Sequence, residues 1–476
     1  MMKRLALIMA ALALAGAPGP ALADEAIPVQ ELVLRTKPAV ALVTARVDAE
    51  ASLNCGPGPI TVKPAPFVET GTGWFVDGRG YLITNAHVVD PAHRLPPWVS
   101  QELKKSAVDE ACVTPLLARQ GLMRGSRPDF EDQIRRRVDM ASIRLKLLPQ
   151  VTVLLSNGTI LPAEIKKFSP PLLLDASGKP VPDSGRDLAL LRVKDGVYPA
   201  LAVADEAPKI GDPVHIMGFP GVVLSHELLN KSAALEASVT AGSISGLKQD
   251  AIGQDVIQTD ASAAPGNSGG PAIGARGAVV GVLTFVSLSP SGGSIVQGFN
   301  FLIPGKDLMK FLQGTEVATP GESRFNPVWA AGLRDLSNER FRSAAAKFAE
   351  ANNLLSDLTD VRRALAEAEF KVKNPPPRPF PWAWATLGLA LVSGSGYGAL
   401  WYRRWQRNRF RIKAGEVVKM LEEGVNPLLL DVRKASAAKT SPLKIPGATY
   451  VSPEDLARGE ARIEVDPNRT VVAYCT

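Results

Sequence analysis

The sequence predicts a mainly β protein, and three observations carry that reading. Between residues 31 and 310 short runs recur, among them AVALVTARV, GWFV, VTVLL, LALLRV, ASVTAG, AVVGVLTFV and GFNFLIP. They are rich in β-branched and aromatic residues and bounded by Gly, Pro, Asn and Asp. So many short strands in succession point to a sandwich or a pair of barrels. The length, 476 residues, suggests about three domains at roughly 150 residues each. With 46% apolar and 21% charged residues, the chain has globular texture rather than that of a disordered polymer. The net charge of +7 is spread along it apart from one basic cluster, Arg403 to Lys413, so no nucleic-acid partner is expected. Three cysteines exclude a disulfide-built scaffold.

The elements follow in order. Residues 1–23 place Lys3 and Arg4 before an apolar run ending in Ala21-Leu22-Ala23, the layout of a secretory signal peptide. Export is therefore expected. Cys55 and Cys112 either pair or remain two buried thiols, because sequence supplies no distance between them. Residues 91–148 break the strand pattern with helically spaced apolar positions and many charges, as a helical insertion would. Residues 326–373 are Ala-rich and helical, and a break near Asn352 and Asn353 suggests a hairpin of two helices, a plain stalk or one tetratricopeptide-like unit. A Pro-rich hinge, 374–381, leads into 382–402, an uncharged stretch about long enough to cross a bilayer. Trp382, Trp384, Trp401 and Tyr402 would form its interfacial belts, and the basic cluster would stay in the cytoplasm. This predicts a single-pass protein of a bacterial inner membrane, its N-terminal part periplasmic.

Hydrolysis of a peptide bond needs an activated nucleophile, a base for its proton and donors for the oxyanion. Three segments supply these in the order His, Asp, Ser. TGTGWFVDGRGYLITNAHVVD carries His87 after a strand, a turn and a second strand. His93, His215 and His226 lack such surroundings and read as structural. GRDLALLRV puts Asp187 at the mouth of an apolar strand, where a carboxylate can hold an imidazole in the right tautomer. IQTDASAAPGNSGGPAI contains Gly266-Asn267-Ser268-Gly269-Gly270-Pro271, with Ser268 as nucleophile and the N–H groups of Gly266 and Ser268 as the oxyanion hole.

With these motifs in place, TGTGWFV, TNAHVV, DLALLRV, SVTAGSISG, IQTDASAAPGNSGGP and GFNFLIP together resemble the protease domain of the HtrA family of trypsin-like peptidases, over residues 29–315. The resemblance implies a chymotrypsin-like fold of two six-stranded β-barrels with the triad between them. It also implies ATP-independent cleavage of unfolded or damaged envelope polypeptides, with no cofactor or metal. The family often forms trimers, so homo-oligomerisation is an open alternative. The chain departs from the family in its long insertion between the His and Asp motifs, and in helices where many members carry a PDZ module. Asn267 replaces the Asp that captures a new N-terminus in zymogen-type relatives. Ser262, six positions before Ser268, gives a neutral pocket floor, and Phe299, Asn300 and Phe301 are expected to line one wall, favouring small or medium apolar side chains.

Residues 409–476 alternate helix and buried-strand runs. LLLDVR, IPGA and VVAYC resemble the rhodanese-like family, which makes Cys475 the candidate persulfide thiol. The given sequence stops at Thr476, before the anion-cradling loop such a thiol needs, so the domain reads as incomplete. Two other functions stay in play: a silent protease-fold binding or chaperone module, and a transmembrane adaptor whose output is the sulfur-handling domain.

Overall fold

The computed structural model describes residues 28–475 except 57, 176, 178, 183, 231, 233, 234, 289–294, 378–380 and 442, with backbone alone for the rest of 285–297. The expected signal peptide and part of the Pro-rich hinge lie outside the described residues. The chain divides into two units, Met1–Pro376 and Pro377–Thr476.

The first unit is built on two antiparallel sheets. In the first, β1 (Val40–Asn54), β3 (Phe67–Asp77), β4 (Tyr81–Thr84), β5 (Arg144–Leu154), β6 (Ile160–Pro162), β7 (Glu164–Ser169) and β8 (Leu188–Arg192) run in the order β6-β5-β1-β3-β4-β8-β7, and β2 (Pro59–Val62) pairs with β1. The second is a closed barrel of β9 (Pro213–Gly218), β10 (Ser238–Gln249), β11 (Asp255–Thr259), β12 (Pro271–Gly274), β13 (Val279–Leu288) and β14 (Ile295–Pro304). This is the mainly β, chymotrypsin-like protease fold, with one correction. The first half is an eight-stranded sheet, not a six-stranded closed barrel. Its ends, β6 and β7, are separated only by Ala163, so the sheet curls back on itself at a bend in the chain rather than through a ladder.

Alternation places the cores. Along β1 every second side chain from Val43 to Leu53 is buried, as a pleated strand with one face inward requires. Val43, Leu82, Val153 and Leu191 fill the first sheet, and Ile216, Ile257, Leu283 and Leu302 fill the barrel. A further cluster, including Trp74, Ile83, Met217, Phe219 and Ile303, joins the two. The protease fold is one body because this apolar seam is continuous.

The insertion folds as helices Pro97–Val108, Thr114–Arg119 and Pro128–Arg137, with a π-helical turn Asp109–Val113 between the first two. It has its own core, in which Val108, Cys112, Leu117 and Ile134 meet Ala51 and Leu53 of β1. Cys55 and Cys112 form a disulfide, which settles their alternative. Residues 144–148 belong to β5 rather than to the insertion.

Three helices, Phe325–Ser337, Phe341–Leu354 and Thr359–Lys373, replace the expected hairpin. The middle helix runs through Asn352 and Asn353, and the breaks fall beside Glu339 and Asp357, both with positive φ. These helices are tied to the protease fold: Trp329 is buried and donates its indole N–H to Leu34 O at 2.8 Å, and Arg363 and Lys37 both pair with Glu236.

In the second unit a helix spans Trp382–Asn408 with no buried residue. The expected membrane span is corrected here: among the described residues no helix is long and apolar enough to cross a membrane. Thr386, Ser393, Ser395 and the glycines 388, 394, 396 and 398 dilute its apolar character below what a bilayer core demands. A parallel sheet follows, β15 (Leu428–Asp431) between β16 (Thr449–Tyr450) and β17 (Val471–Tyr474), with short helices in the connections and Val417, Leu429, Ala448 and Val472 as its core.

Opening the Cys55–Cys112 bond frees a long loop, the two cysteines being 57 residues apart. Cys112→Ser is expected to lower unfolding stability by about 2–4 kcal/mol, measured by denaturant titration against the parent under non-reducing conditions.

Candidate active site

His87 stands at the start of the helix Ala86–His93, directly after β4 and Asn85. Asp187 precedes β8, the strand that pairs with β4, so register alone brings the two residues to one sheet edge. Asp187 takes a left-handed backbone, φ 56°, a conformation Asp tolerates better than most residues. Its N–H donates to Pro170 O and its carbonyl accepts from Asn85 Nδ2, both at 2.9 Å. These bonds hold the strained residue in place.

The Asp187 carboxylate accepts three hydrogen bonds. His87 N–H reaches Oδ1 at 2.9 Å, His87 Nδ1 lies 2.8 Å from Oδ2, and Thr284 Oγ1 donates to Oδ2 at 2.7 Å. Because an ionised carboxylate can only accept, Nδ1 carries the proton and Nε2 keeps its lone pair. Exposure divides the pair usefully: the side chain of His87 is 37% exposed and that of Asp187 only 10%. The imidazole can be reached from the cleft while its partner is screened. Burial is the largest single influence on His87 and acts to lower its pKa. The charge and hydrogen bond of Asp187, helped by the charges of Glu69 and Asp90, outweigh it and leave the pKa above the ordinary imidazole value.

Ser268 lies on the turn between β11 and β12. Gly266, with φ 96°, approaches Phe219 O so closely that a Cβ would sit 2.4 Å from it, and Gly269, with φ 84°, crowds Thr72 O in the same way. Only glycine fits either position. The orientation of the turn is fixed through its carbonyls. Gly221 N–H donates to Pro265 O at 2.8 Å and Gly270 N–H to Asn267 O at 2.9 Å. In a trans peptide the N–H points opposite to the C=O, so the N–H groups of Gly266 and Ser268 are turned away from these donors. Among the described residues neither N–H has a protein acceptor. Two unspent donors beside a serine can stabilise a developing oxyanion.

Thr72 locks this turn to the first sheet. It is fully buried, its Oγ1 donates to Gly266 O at 2.7 Å and accepts from Phe219 N–H at 3.0 Å, and its N–H donates to Ser268 O at 2.8 Å. His87, Asp187, Gly266 and Ser268 all line one cavity of about 550 Å³. No hydrogen bond joins Ser268 Oγ to His87 among the described residues, a contact that commonly closes only when substrate is bound.

The expected specificity residues behave differently. Ser262 is exposed, and its carbonyl accepts from Thr240 Oγ1. Asn300 is fully buried with its amide donating to Ala261 O at 2.6 Å, while Phe299 is 50% exposed and Phe301 half-buried. Neighbours on a strand face opposite ways, so the three cannot share one wall. That part of the expectation is corrected, and none of the four lines the cavity that holds Ser268. Cys475 follows β17 in the other unit and is an exposed free thiol. Sequence reasoning missed the supporting residues Asn85, Thr72, Gly221 and Thr284. Asn85 and Thr72 sit inside the quoted motifs, whereas Gly221 and Thr284 have no local signal.

Comparison with known proteins defines the class. Residues 71–282 match the trypsin-like peptidase domain family. The chain is 37% identical over 160 residues to a probable periplasmic serine endoprotease DegP-like of Rhizobium meliloti, covering 32% of this chain and 26% of the relative. It is 31% identical over 161 residues to the serine endoprotease DegS of Haemophilus influenzae, covering 33% and 39% respectively. Protease Do-like 1, chloroplastic, of Arabidopsis thaliana is 36% identical over 132 residues, covering 26% and 27%. The chain thus spans between 26% and 39% of the length of these relatives. More particularly, the chain carries an HtrA-like, trypsin-type serine protease domain.

The raised His87 pKa fixes the sign of a pH effect. The imidazole accepts a proton only when neutral, so kcat/KM is expected to fall on acidification through an apparent pKa above 6.5, the ordinary value. Asp187→Asn removes the strongest influence raising it. That midpoint should then move down and kcat drop by about 10,000-fold, both read from pH–rate profiles on a peptide substrate.

Proposed function

We propose that this protein is an envelope serine endopeptidase that cleaves unfolded or damaged polypeptides through an acyl-enzyme. The observation that carries the reading is the Asp187 carboxylate, clasped by His87 of the helix after β4 and by Thr284 of the barrel, beside a serine with two free N–H donors. In the proposed cycle Ser268 Oγ attacks the scissile carbonyl carbon while its proton passes to His87 Nε2. The oxyanion of the tetrahedral intermediate rests on the N–H groups of Gly266 and Ser268. Collapse breaks the C–N bond, and the proton on Nε2 goes to the leaving amine. Water then attacks the acyl ester by the same route, with His87 again taking a proton, and Ser268 is restored.

Several features support the compartment and substrate. A disulfide is rare in reducing cytosol and at home in an oxidising one, and Cys55–Cys112 is such a bond. Two of the relatives named above are described as a periplasmic endoprotease and as DegS. The cavity is open and mostly apolar in its lining, which suits exposed hydrophobic segments of unfolded chains. The parallel sheet whose last strand ends just before Cys475 suits the rhodanese-like reading of the other unit, which we keep as a proposal of fold alone.

The test is cleavage of reduced, unfolded casein together with labelling by a fluorophosphonate probe. The parent protein is expected to do both and Ser268→Ala neither. Equal cleavage by the two proteins, or a parent that neither cleaves nor labels, overturns the assignment and favours a silent binding module.

A further inference from the structure

Among the described residues, one acid in the cavity around Ser268 has neither a hydrogen bond nor an ion pair. Glu69 lies on β3 opposite Ala45 of β1, half-buried, and lines the same cavity as His87, Ser268 and Gly266. The other ionic groups in that lining are matched. Asp187 is held by His87. Arg186 donates to Gln254, to Asp255 O and to Asp307, and lies 3.6 Å from Asp250. Among the described residues no lysine or arginine pairs with Glu69. Its carboxyl is pushed above the usual carboxylate range by burial, and the charge of His87 only partly offsets this.

Such a carboxylate gains from any cation brought into the cavity. Leu172, Leu173, Pro265, Val256 and Ile303 supply much of the remaining wall, and an apolar wall strengthens the attraction between charges that meet beside it. His87 cannot be that cation during the reaction, because its charge appears only after attack and is already matched by Asp187. A substrate side chain can be. Glu69 shares with His87 and Ser268 the cavity that must admit the residues flanking the scissile bond.

We propose that Glu69 is a specificity-determining residue, receiving the ammonium or guanidinium group of a lysine or arginine that flanks the scissile bond of the substrate. This rests on the peptidase reading above and deepens it. The enzyme would select cleavage sites in basic, otherwise apolar stretches, with the charge read beside the bond by Glu69.

The experiment uses the full chain and a set of peptides identical except for one position. Lys, Gln or Glu is placed in turn at each of the three residues on either side of the scissile bond. Two readouts are taken: kcat/KM with active enzyme, and binding to the Ser268→Ala protein by fluorescence anisotropy, which needs no turnover. At one position the Lys peptide is expected to exceed the Gln peptide by about tenfold, the scale of a hydrogen bond to a charged group. Glu69→Gln should bring that ratio close to one and Glu69→Lys should invert it toward Glu, whatever the change in absolute rate. A lysine preference that survives both substitutions, or no charge preference at any position, overturns the proposal. If the parent cleaves nothing while Ser268→Ala still prefers the Lys peptide through Glu69, the peptidase reading fails and charge selection stands. If no peptide is cleaved or bound, both fail.

Discussion

The carboxylate of Asp187 is the constraint on which the rest of the site depends. It sits between the two halves of the protease fold, taking two hydrogen bonds from His87, just after β4 of the first sheet, and one from Thr284 of the barrel. A buried carboxylate is costly to leave unpaired. The halves must therefore meet in the geometry that satisfies it, and that geometry is the one that aims His87 Nε2 at the cleft. The positive φ of Asp187 is local strain that the surrounding structure over-determines: the strand register of β4 and β8, the Pro170 carbonyl and the Asn85 amide all hold it.

The nucleophile turn is placed by a second, independent device. Thr72 is buried on β3, so the apolar seam that joins the halves also fixes where its hydroxyl and N–H point. From there it holds Gly266 O and Ser268 O, while Gly221 holds Pro265 O. The two free N–H groups follow from the bonds of Gly221 to Pro265 O and of Gly270 to Asn267 O rather than from any side chain. The base is thus set by a carboxylate, the nucleophile turn by Thr72 and four glycines, Gly221, Gly266, Gly269 and Gly270, and both devices draw on the same packed interface.

Much of this was legible in the sequence. His87, Asp187 and Ser268 stand in local motifs whose strand, turn and glycine content encode their own geometry, and the structure gathers them in one cavity. What was not legible is long-range. Thr284 is one residue in an apolar strand, and Gly221 is one glycine among 41; each matters only through a partner far along the chain. The wall expected of Phe299, Asn300 and Phe301 ignored the alternation of a strand. The span expected at 382–402 counted missing charges and underweighted its glycines and serines. The third helix after residue 324 was hidden because Glu339 and Asp357 turn the chain without a glycine or proline to mark the break.

The hydrogen bond between Asp187 and His87 Nδ1 is open to direct observation by proton NMR on protein labelled with 15N-histidine. The account predicts a strongly downfield Nδ1 proton assigned to His87, present in the parent, retained in Ser268→Ala and absent in Asp187→Asn. A His87 Nδ1 proton with no downfield shift, or one unchanged by Asp187→Asn, would contradict the claim that this carboxylate organises the site.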